Sequence, residues 1–244
     1  MRKIFLLTFL LILPFLIFSQ EAVKKTESPA TEGLYLDASA GGAFPMGFYA
    51  KSDIKNSNSG FATNGFLAQF NLDWLGKDNY GLGFQYTFQY NPFKNSVKND
   101  TLTGMSQALG TGSWTNHYLM AGLVVLKFFH KVYFEGKILA GVILSSSPLF
   151  KTIDAQTHNP SNNTGTGFAW GVQVGAGYAV SPRVTLKASI EYLTGNPKIH
   201  HQSVQQTLDT ITHTINYSAP INIDTKRTVS ALLVKAGIVV KLSK

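Results

Sequence analysis

Apolar and polar residues alternate along residues 80–91 with a period of two. One face of this segment is apolar and mostly aromatic: Tyr80, Leu82, Phe84, Tyr86, Phe88 and Tyr90. The other face is small or polar: Gly81, Gly83, Gln85, Thr87, Gln89 and Asn91. Successive side chains of an extended strand point to opposite faces of a sheet. The segment is therefore predicted to be a β-strand with one apolar, aromatic face.

Similar runs recur along the chain and predict eight strands. They cover residues 33–44, 65–74, 80–91, 117–127, 132–145, 167–180, 183–195 and 227–242. Three of the gaps between them are short: 75–79, 128–131 and 181–182. The other four are long and rich in Ser, Thr, Asn and Gly: 45–64, 92–116, 146–166 and 196–226. Short turns at one end and long loops at the other are typical of bacterial outer-membrane barrels.

The N-terminal segment is predicted to be a secretory leader. Arg2 and Lys3 precede an uncharged apolar run over residues 4–18, which is followed by Ser19. This run is shorter than the roughly 20 residues that a transmembrane helix needs, and Pro14 interrupts it. The predicted division of the chain is a signal peptide at 1–19, a flexible tail at 20–32 and a barrel domain at 33–244.

The chain resembles the small OmpA/OmpX-type outer-membrane β-barrel superfamily in its leader, its eight alternating segments and its alternation of short and long gaps. The resemblance covers residues 33–242. The resemblance implies an all-β fold, a closed antiparallel up-and-down barrel of eight transmembrane strands. Its short turns would face the periplasm and its long loops the exterior. The last gap also alternates over residues 207–217, which predicts that strands seven and eight continue as a hairpin beyond the barrel. A disordered loop, or an added strand pair that would make about ten strands, is the alternative.

Composition fits this class. Charged residues make up 14% of the chain, whereas roughly 25% is usual for soluble domains. There is no cysteine, so disulfides and lipidation are excluded. The formal net charge is +8. Nucleic acid is not an expected partner of an exported chain, whereas outer-membrane lipid and lipopolysaccharide, with their anionic headgroups, are.

Three observations favour an apolar face that points out of the barrel, although a soluble, lipocalin-like barrel with the opposite orientation is the alternative. The polar face of residues 167–180 is made of small residues that suit a narrow interior: Ala169, Gly171, Gln173, Gly175, Gly177 and Ala179. Aromatic residues near the strand ends would form girdles at the two interfaces: Phe44, Phe66, Trp74, Tyr80, Tyr90, Tyr118, Phe168, Trp170, Tyr178 and Tyr192. The few charges within the strands share the polar face.

The predicted lumen contains both charged and apolar side chains. Five residues are predicted to form an ionic layer in which acids and bases pair: Glu135, Lys137, Lys187, Glu191 and Lys235. Asp37 and Asp73 share this face. Apolar residues expected inside are Leu119, Ala121, Leu123, Val125, Tyr133, Leu139, Ile143, Val229, Leu233 and Val239. Because side chains can just fill an eight-stranded barrel, a packed lumen is expected, and a narrow path for a small apolar molecule is the alternative.

No catalytic residue, cofactor site or metal site is predicted. Among the histidines, only His117 begins a strand, and the adjacent pair His200 and His201 is interpreted as a solvated loop pair rather than a metal site. The sequence contains no nucleophile elbow, phosphate-binding loop or paired catalytic carboxylates. We therefore expect a non-enzymatic barrel with a structural or surface-binding role through its long loops. A conduit or binding site for small apolar molecules and, third, a lipid A modifying enzyme are the alternatives.

Overall fold

A computed structural model of the protein describes residues 32–52, 59–94, 108–152, 157–158, 164–208, 215–217 and 221–242. Eight long strands are β1 Gly33–Met46, β2 Gly65–Leu75, β3 Tyr80–Pro92, β4 Ser113–Phe129, β5 Val132–Ser146, β6 Thr164–Ala179, β7 Val184–Gly195 and β8 Val229–Lys241. They confirm the eight predicted segments. The largest difference is the start of β4, predicted at His117 and found at Ser113. The predicted leader and tail lie outside the described residues, apart from Glu32.

The eight strands close into a barrel. Each strand pairs antiparallel with the next one in the sequence, and β8 pairs with β1, so the sheet has no free edge. Following directly paired residues around the barrel from Tyr35 on β1 leads back to β1 at Pro45, ten residues further on. This stagger means that the strands are tilted, by about 35–45° in barrels of this kind. Closure lets the strand backbone satisfy its hydrogen bonds internally.

The connections alternate along the chain. Residues 76–79, 130–131 and 180–183 form short turns at one end of the barrel, which we name the turn end and which also holds the start of β1 and the end of β8. The described parts of the other connections lie at the opposite end, the loop end, and include the short helix α1, Gly47–Ala50. No helix within the described ranges is long and apolar enough to cross a membrane.

Paired strands extend the sheet beyond the loop end. Lys198–Leu208, directly after β7, pairs with Ile221–Lys226, directly before β8. This is the expected hairpin, although its strands begin closer to the barrel than the alternation over residues 207–217 indicated. Lys198–Leu208 also pairs with the first residues of β6. Ala108–Thr111 and Leu149–Thr152 pair with each other in the other long connections.

Large apolar side chains cover the outside of the barrel. On β3 the exposed fractions of Tyr80, Leu82 and Phe84 are 64%, 48% and 61%. Every other strand also has exposed apolar side chains, among them Leu36, Phe70, Leu123, Ile138, Val174, Ile190 and Ile238. Exposed aromatic residues lie towards both ends: Trp74, Tyr80, Phe134 and Tyr178 at the turn end, and Phe44, Phe66, Phe168 and Trp170 at the loop end. The predicted outward orientation of the apolar faces is confirmed for these strands.

The prediction for β4 was wrong by one residue in phase. Leu119, Ala121, Leu123 and Val125 were expected in the lumen, but all four are exposed on the outside. Tyr118, expected in an outer aromatic girdle, is fully buried. Both faces of β4 are apolar, so alternation alone does not say which one points inward. The register decides, because Ala121 pairs directly with Phe84 and paired residues share a face of the sheet.

Candidate functional site in the barrel lumen

The lumen is filled by three layers of side chains. An apolar cluster at the turn end, the turn-end layer, consists of Leu75, Val124, Leu126 and Tyr133. A larger apolar cluster, the loop-end layer, includes Leu67, Trp114, Tyr118, Met120, Leu139, Ile143, Leu193 and Leu233. Between them lie the charged residues, which we name the ionic layer: Asp37, Asp73, Glu135, Lys137, Lys187, Glu191 and Lys235. The predicted lumen residues Tyr133, Leu139, Ile143, Val229, Leu233 and Val239 are all buried.

The strands position the ionic layer through simple alternation. Glu135 and Lys137 are two residues apart on β5, and Lys187 and Glu191 are four apart on β7, so each pair points inward from one strand. Their outward neighbours are apolar, as in Phe134 and Ile138 on β5. Every side chain of the ionic layer is at most 6% exposed. Charges this deeply buried must be paired and hydrogen-bonded to be tolerated.

One part of the ionic layer is a single ion pair. Lys235 Nζ on β8 contacts Glu191 Oε2 on the neighbouring strand β7, and it also donates to Gln69 Oε1. The other oxygen of Glu191 accepts a hydrogen bond of 2.7 Å from Gln85 Nε2. Gln69 in turn donates to Gln85 Oε1 at 2.9 Å. Two amide side chains therefore complete the shell around this pair.

The other part is a chain of alternating charges across the barrel. Lys187 Nζ lies 2.6 Å from Asp37 Oδ2 and 2.7 Å from Glu135 Oε1. Glu135 Oε1 lies 3.8 Å from Lys137 Nζ, which is 2.6 Å from Asp73 Oδ2. The chain thus runs from Asp37 on β1 to Asp73 on β2 by way of β7 and β5. The contacts Lys187–Asp37, Lys187–Glu135 and Lys137–Asp73 connect strands that are not neighbours in the sheet and so cross-link the lumen.

All five residues singled out from the sequence as an ionic layer lie in this layer, together with Asp37 and Asp73. The amides that bind them were not singled out. Gln173 donates to Glu135, and Asn71 Nδ2 donates to Asp37 Oδ2 at 2.8 Å. Their signal was present in the sequence, since Gln69, Asn71 and Asp73 alternate with Phe70 and Leu72 on β2.

The described part of the β1–β2 connection folds over the loop end of the lumen. We name α1 together with residues 59–62 the cap. Tyr49 is 1% exposed, and its hydroxyl donates to Asn91 Oδ1 at 3.2 Å and accepts from Asn116 Nδ2 at 3.1 Å. Burial raises the pKa of Tyr49, so the phenol stays neutral. The Trp114 indole donates to Gly60 O at 2.7 Å and packs edge-on against the Tyr49 ring, which joins the cap to the barrel wall.

The histidines have other surroundings. His117 lies on the outside of β4, where its Nδ1 is 2.9 Å from the Tyr86 hydroxyl and its ring contacts Phe88. His200, in the hairpin beyond β7, is exposed and lies 2.5 Å from Asp224 Oδ1. Hydrogen bonds from Lys198 and His200 lower the pKa of Asp224. His130 is exposed in the β4–β5 turn, and His213 lies outside the described residues.

Comparisons with known proteins identify the fold. No protein-family model and no curated protein matches the sequence. The structure is similar to that of Neisserial surface protein A, with 17% sequence identity, a TM-score of 0.51 and coverage of 86% of this chain and 98% of that one. A major outer membrane protein from Thermus thermophilus has 11% identity, a TM-score of 0.48 and coverage of 86% and 99%. The outer membrane protein OprG from Pseudomonas aeruginosa has 9% identity, a TM-score of 0.44 and coverage of 86% of this chain and 97% of that one.

The closed eight-stranded up-and-down barrel, apolar outside and polar at the centre of its lumen, has the architecture of small outer-membrane barrels. The likeness to Neisserial surface protein A, at 17% identity, is a likeness of fold. The chain has the fold of the small OmpA/OmpX-type outer-membrane β-barrels, and the closed antiparallel barrel of eight strands implied by the sequence resemblance is confirmed.

Proposed function

We propose that this protein is a non-enzymatic integral barrel of the bacterial outer membrane, exported by its leader and closed to solutes. Its role is structural or surface-binding, through the long connections at the loop end. The observation that carries this proposal is the filled lumen. The ionic layer is enclosed by an apolar layer on each side, and the cap covers the loop end.

The outer surface supports residence in a membrane. Exposed apolar side chains occur on all eight strands, whereas a water-soluble barrel would present polar ones. In hydrocarbon, only a closed sheet satisfies the hydrogen bonds of all its backbone N–H and C=O groups. This sheet closes through β8 and β1. Aromatic residues towards both ends of the strands match the girdles of outer-membrane barrels. The membrane partners are therefore outer-membrane lipid and lipopolysaccharide.

The packed layers argue against the conduit for small apolar molecules. A molecule that followed the barrel axis would have to displace Trp114 and Tyr118, which are fully buried, and then cross a layer of seven buried ionisable side chains. The surroundings of His117 argue against a lipid A modifying enzyme. The His117 ring contacts Tyr86 and Phe88. A lipid A modifying enzyme with His117 as its base would need a nucleophile and an orienting carboxylate beside that ring.

The hairpin beyond β7 and β8 supports a role at the cell surface. It carries exposed charged groups on paired strands, with Lys198 Nζ 2.6 Å from Asp224 Oδ2. A paired hairpin of this kind can present side chains to external surfaces. The short turns would then face the periplasm, as the alternation of short and long connections in outer-membrane barrels requires.

Thiol labelling tests the closed lumen, because the chain has no cysteine of its own. We expect Ser189→Cys, in the lumen, to resist a membrane-impermeant maleimide in liposomes and to react only after unfolding. Ser189 is 5% exposed, and Lys77, in the β2–β3 turn, is exposed. Lys77→Cys is the matched control. Both variants are labelled in the same detergent-free liposomes, made leaky to the maleimide, and Lys77→Cys should react rapidly there. Labelling of folded Ser189→Cys as fast as Lys77→Cys would contradict the proposal.

A further inference from the structure

The ionic layer does not balance its charge. It contains four carboxyl groups, those of Asp37, Asp73, Glu135 and Glu191, and three ammonium groups, those of Lys137, Lys187 and Lys235. No other buried side chain within the described residues carries a formal charge. With all seven groups ionised, the layer would hold one uncompensated negative charge. A buried charge without a partner is costly, and such a group ordinarily neutralises instead.

The four carboxyl groups differ in how many of their oxygens have a hydrogen-bond partner. Both oxygens of Glu191 have partners, in Gln85 and Lys235. Both oxygens of Glu135 also have partners, in Gln173 and Lys187. In contrast, Oδ1 of Asp37 and Oδ1 of Asp73 are buried and have no hydrogen-bond partner in the described structure. The excess charge therefore belongs to one of the two aspartates.

The surroundings of the two aspartates differ. Asp37 Oδ2 accepts hydrogen bonds from both Lys187 and Asn71, whereas Asp73 accepts one from Lys137 and no other from the described residues. A side chain placed on Gly83 would meet both Asp73 Oδ1 and a methyl group of Val124. The unpartnered oxygen of Asp73 thus lies over Gly83 and next to the turn-end layer, to which Val124 belongs.

We propose that the lumen holds one bound proton at neutral pH and that Asp73 carries it as a neutral carboxylic acid on Oδ1. The proton is taken up from the solvent as the barrel folds: an O–H bond of a hydronium ion breaks, a water molecule is released, and the O–H bond of Asp73 forms. The layer then contains three carboxylates and three ammonium groups. Asp73 still accepts the hydrogen bond from Lys137 through Oδ2, and its neutral oxygen contacts the apolar cluster at a much smaller desolvation cost. This proposal rests on a lumen closed to water, which the Ser189→Cys labelling tests separately.

Carbon-13 NMR of the side-chain carboxyl carbons tests this proposal in the intact protein in lipid nanodiscs. We expect one aspartate signal at the position of a protonated acid at pH 7, and that signal should be missing in Asp73→Asn. In Asp37→Asn, the Asp73 signal should move to the ionised position, because the layer then balances without a proton. Asp78→Asn, in the exposed β2–β3 turn, is the control that should leave the protonated signal unchanged.

Stability provides a second readout. Asp73→Asn replaces a neutral acid by a neutral amide of the same shape, so its midpoint of unfolding in urea should match that of the wild-type protein. The account is overturned if all four carboxyl groups of the ionic layer are ionised at pH 7, whether or not sodium or potassium is present. A protonated signal that belongs to Glu135, Glu191 or Asp37, or an Asp73→Asn variant that unfolds at a much lower urea concentration, would overturn it as well.

Discussion

Lys235→Met is expected to reduce the free energy of unfolding by about 3–5 kcal/mol, the range seen when one partner of a buried ion pair is removed. Lys235 is 3% exposed and binds Glu191 and Gln69. Without the ammonium group, Glu191 keeps only its hydrogen bond from Gln85. The ionic layer also loses one of its three positive charges. Equilibrium unfolding in urea, followed by intrinsic tryptophan fluorescence in lipid vesicles, measures the loss.

The matched control is the double variant Lys235→Met/Glu191→Gln. It removes both charges of the pair and leaves an amide that can still accept from Gln85. Replacing a buried pair as a whole is often close to neutral, so the double variant should recover most of the lost stability. If Lys235→Met alone were as stable as the wild-type protein, the lumen would be hydrated enough to solvate Glu191, and the packed ionic layer would be disproved.

Phe84→Arg is expected to destabilise the barrel by roughly 2–4 kcal/mol, the cost of a cation near the bilayer midplane on the lipid face of a barrel. Phe84 is 61% exposed on the outside of β3. It lies about midway along the strand, four residues from Tyr80 at the turn end. The measurement is again the free energy of unfolding in lipid vesicles.

Tyr80→Arg is the positional control for Phe84→Arg. Tyr80 shares the strand and the face of Phe84, and its exposed fraction of 64% is nearly the same. At an interface the same substitution costs roughly 0–1 kcal/mol. A difference between the two variants therefore reports depth in the bilayer rather than loss of an aromatic ring. Equal costs would mean that the outer face of β3 does not cross a hydrocarbon layer.

The strand pattern predicted the barrel because nearly every strand has one face that is clearly polar. On β3, Gln85, Thr87 and Gln89 alternate with aromatic residues, which sets both the period and the phase. β4 lacks this contrast, since Met120 and Val124 inside are as apolar as Leu119 and Leu123 outside. Its phase depends on pairing with β3, which the sequence of β4 alone does not contain.

The charged part of the lumen was more predictable than its loop end. A charge inside a strand of an outer-membrane barrel can avoid hydrocarbon only by pointing inward, and this places Glu135, Lys187 and Lys235 in one narrow space. The cap had no comparable signal. Tyr49 lies in a long gap between strands, and only the folded chain brings it to Asn116 and Trp114. Contacts between residues this far apart in the sequence follow from tertiary structure and not from local periodicity.

Conductance in planar lipid bilayers tests the closed lumen most directly. We expect the purified wild-type barrel to insert without opening a steady ion-conducting pore, because the ionic layer and its two apolar neighbours fill the cross-section. Glu191→Ala, which removes one side of the pair with Lys235, should produce conducting events if that layer is the barrier. A steady pore in the wild-type protein, unchanged by Glu135→Ala or Glu191→Ala, would contradict the closed lumen and favour a conduit.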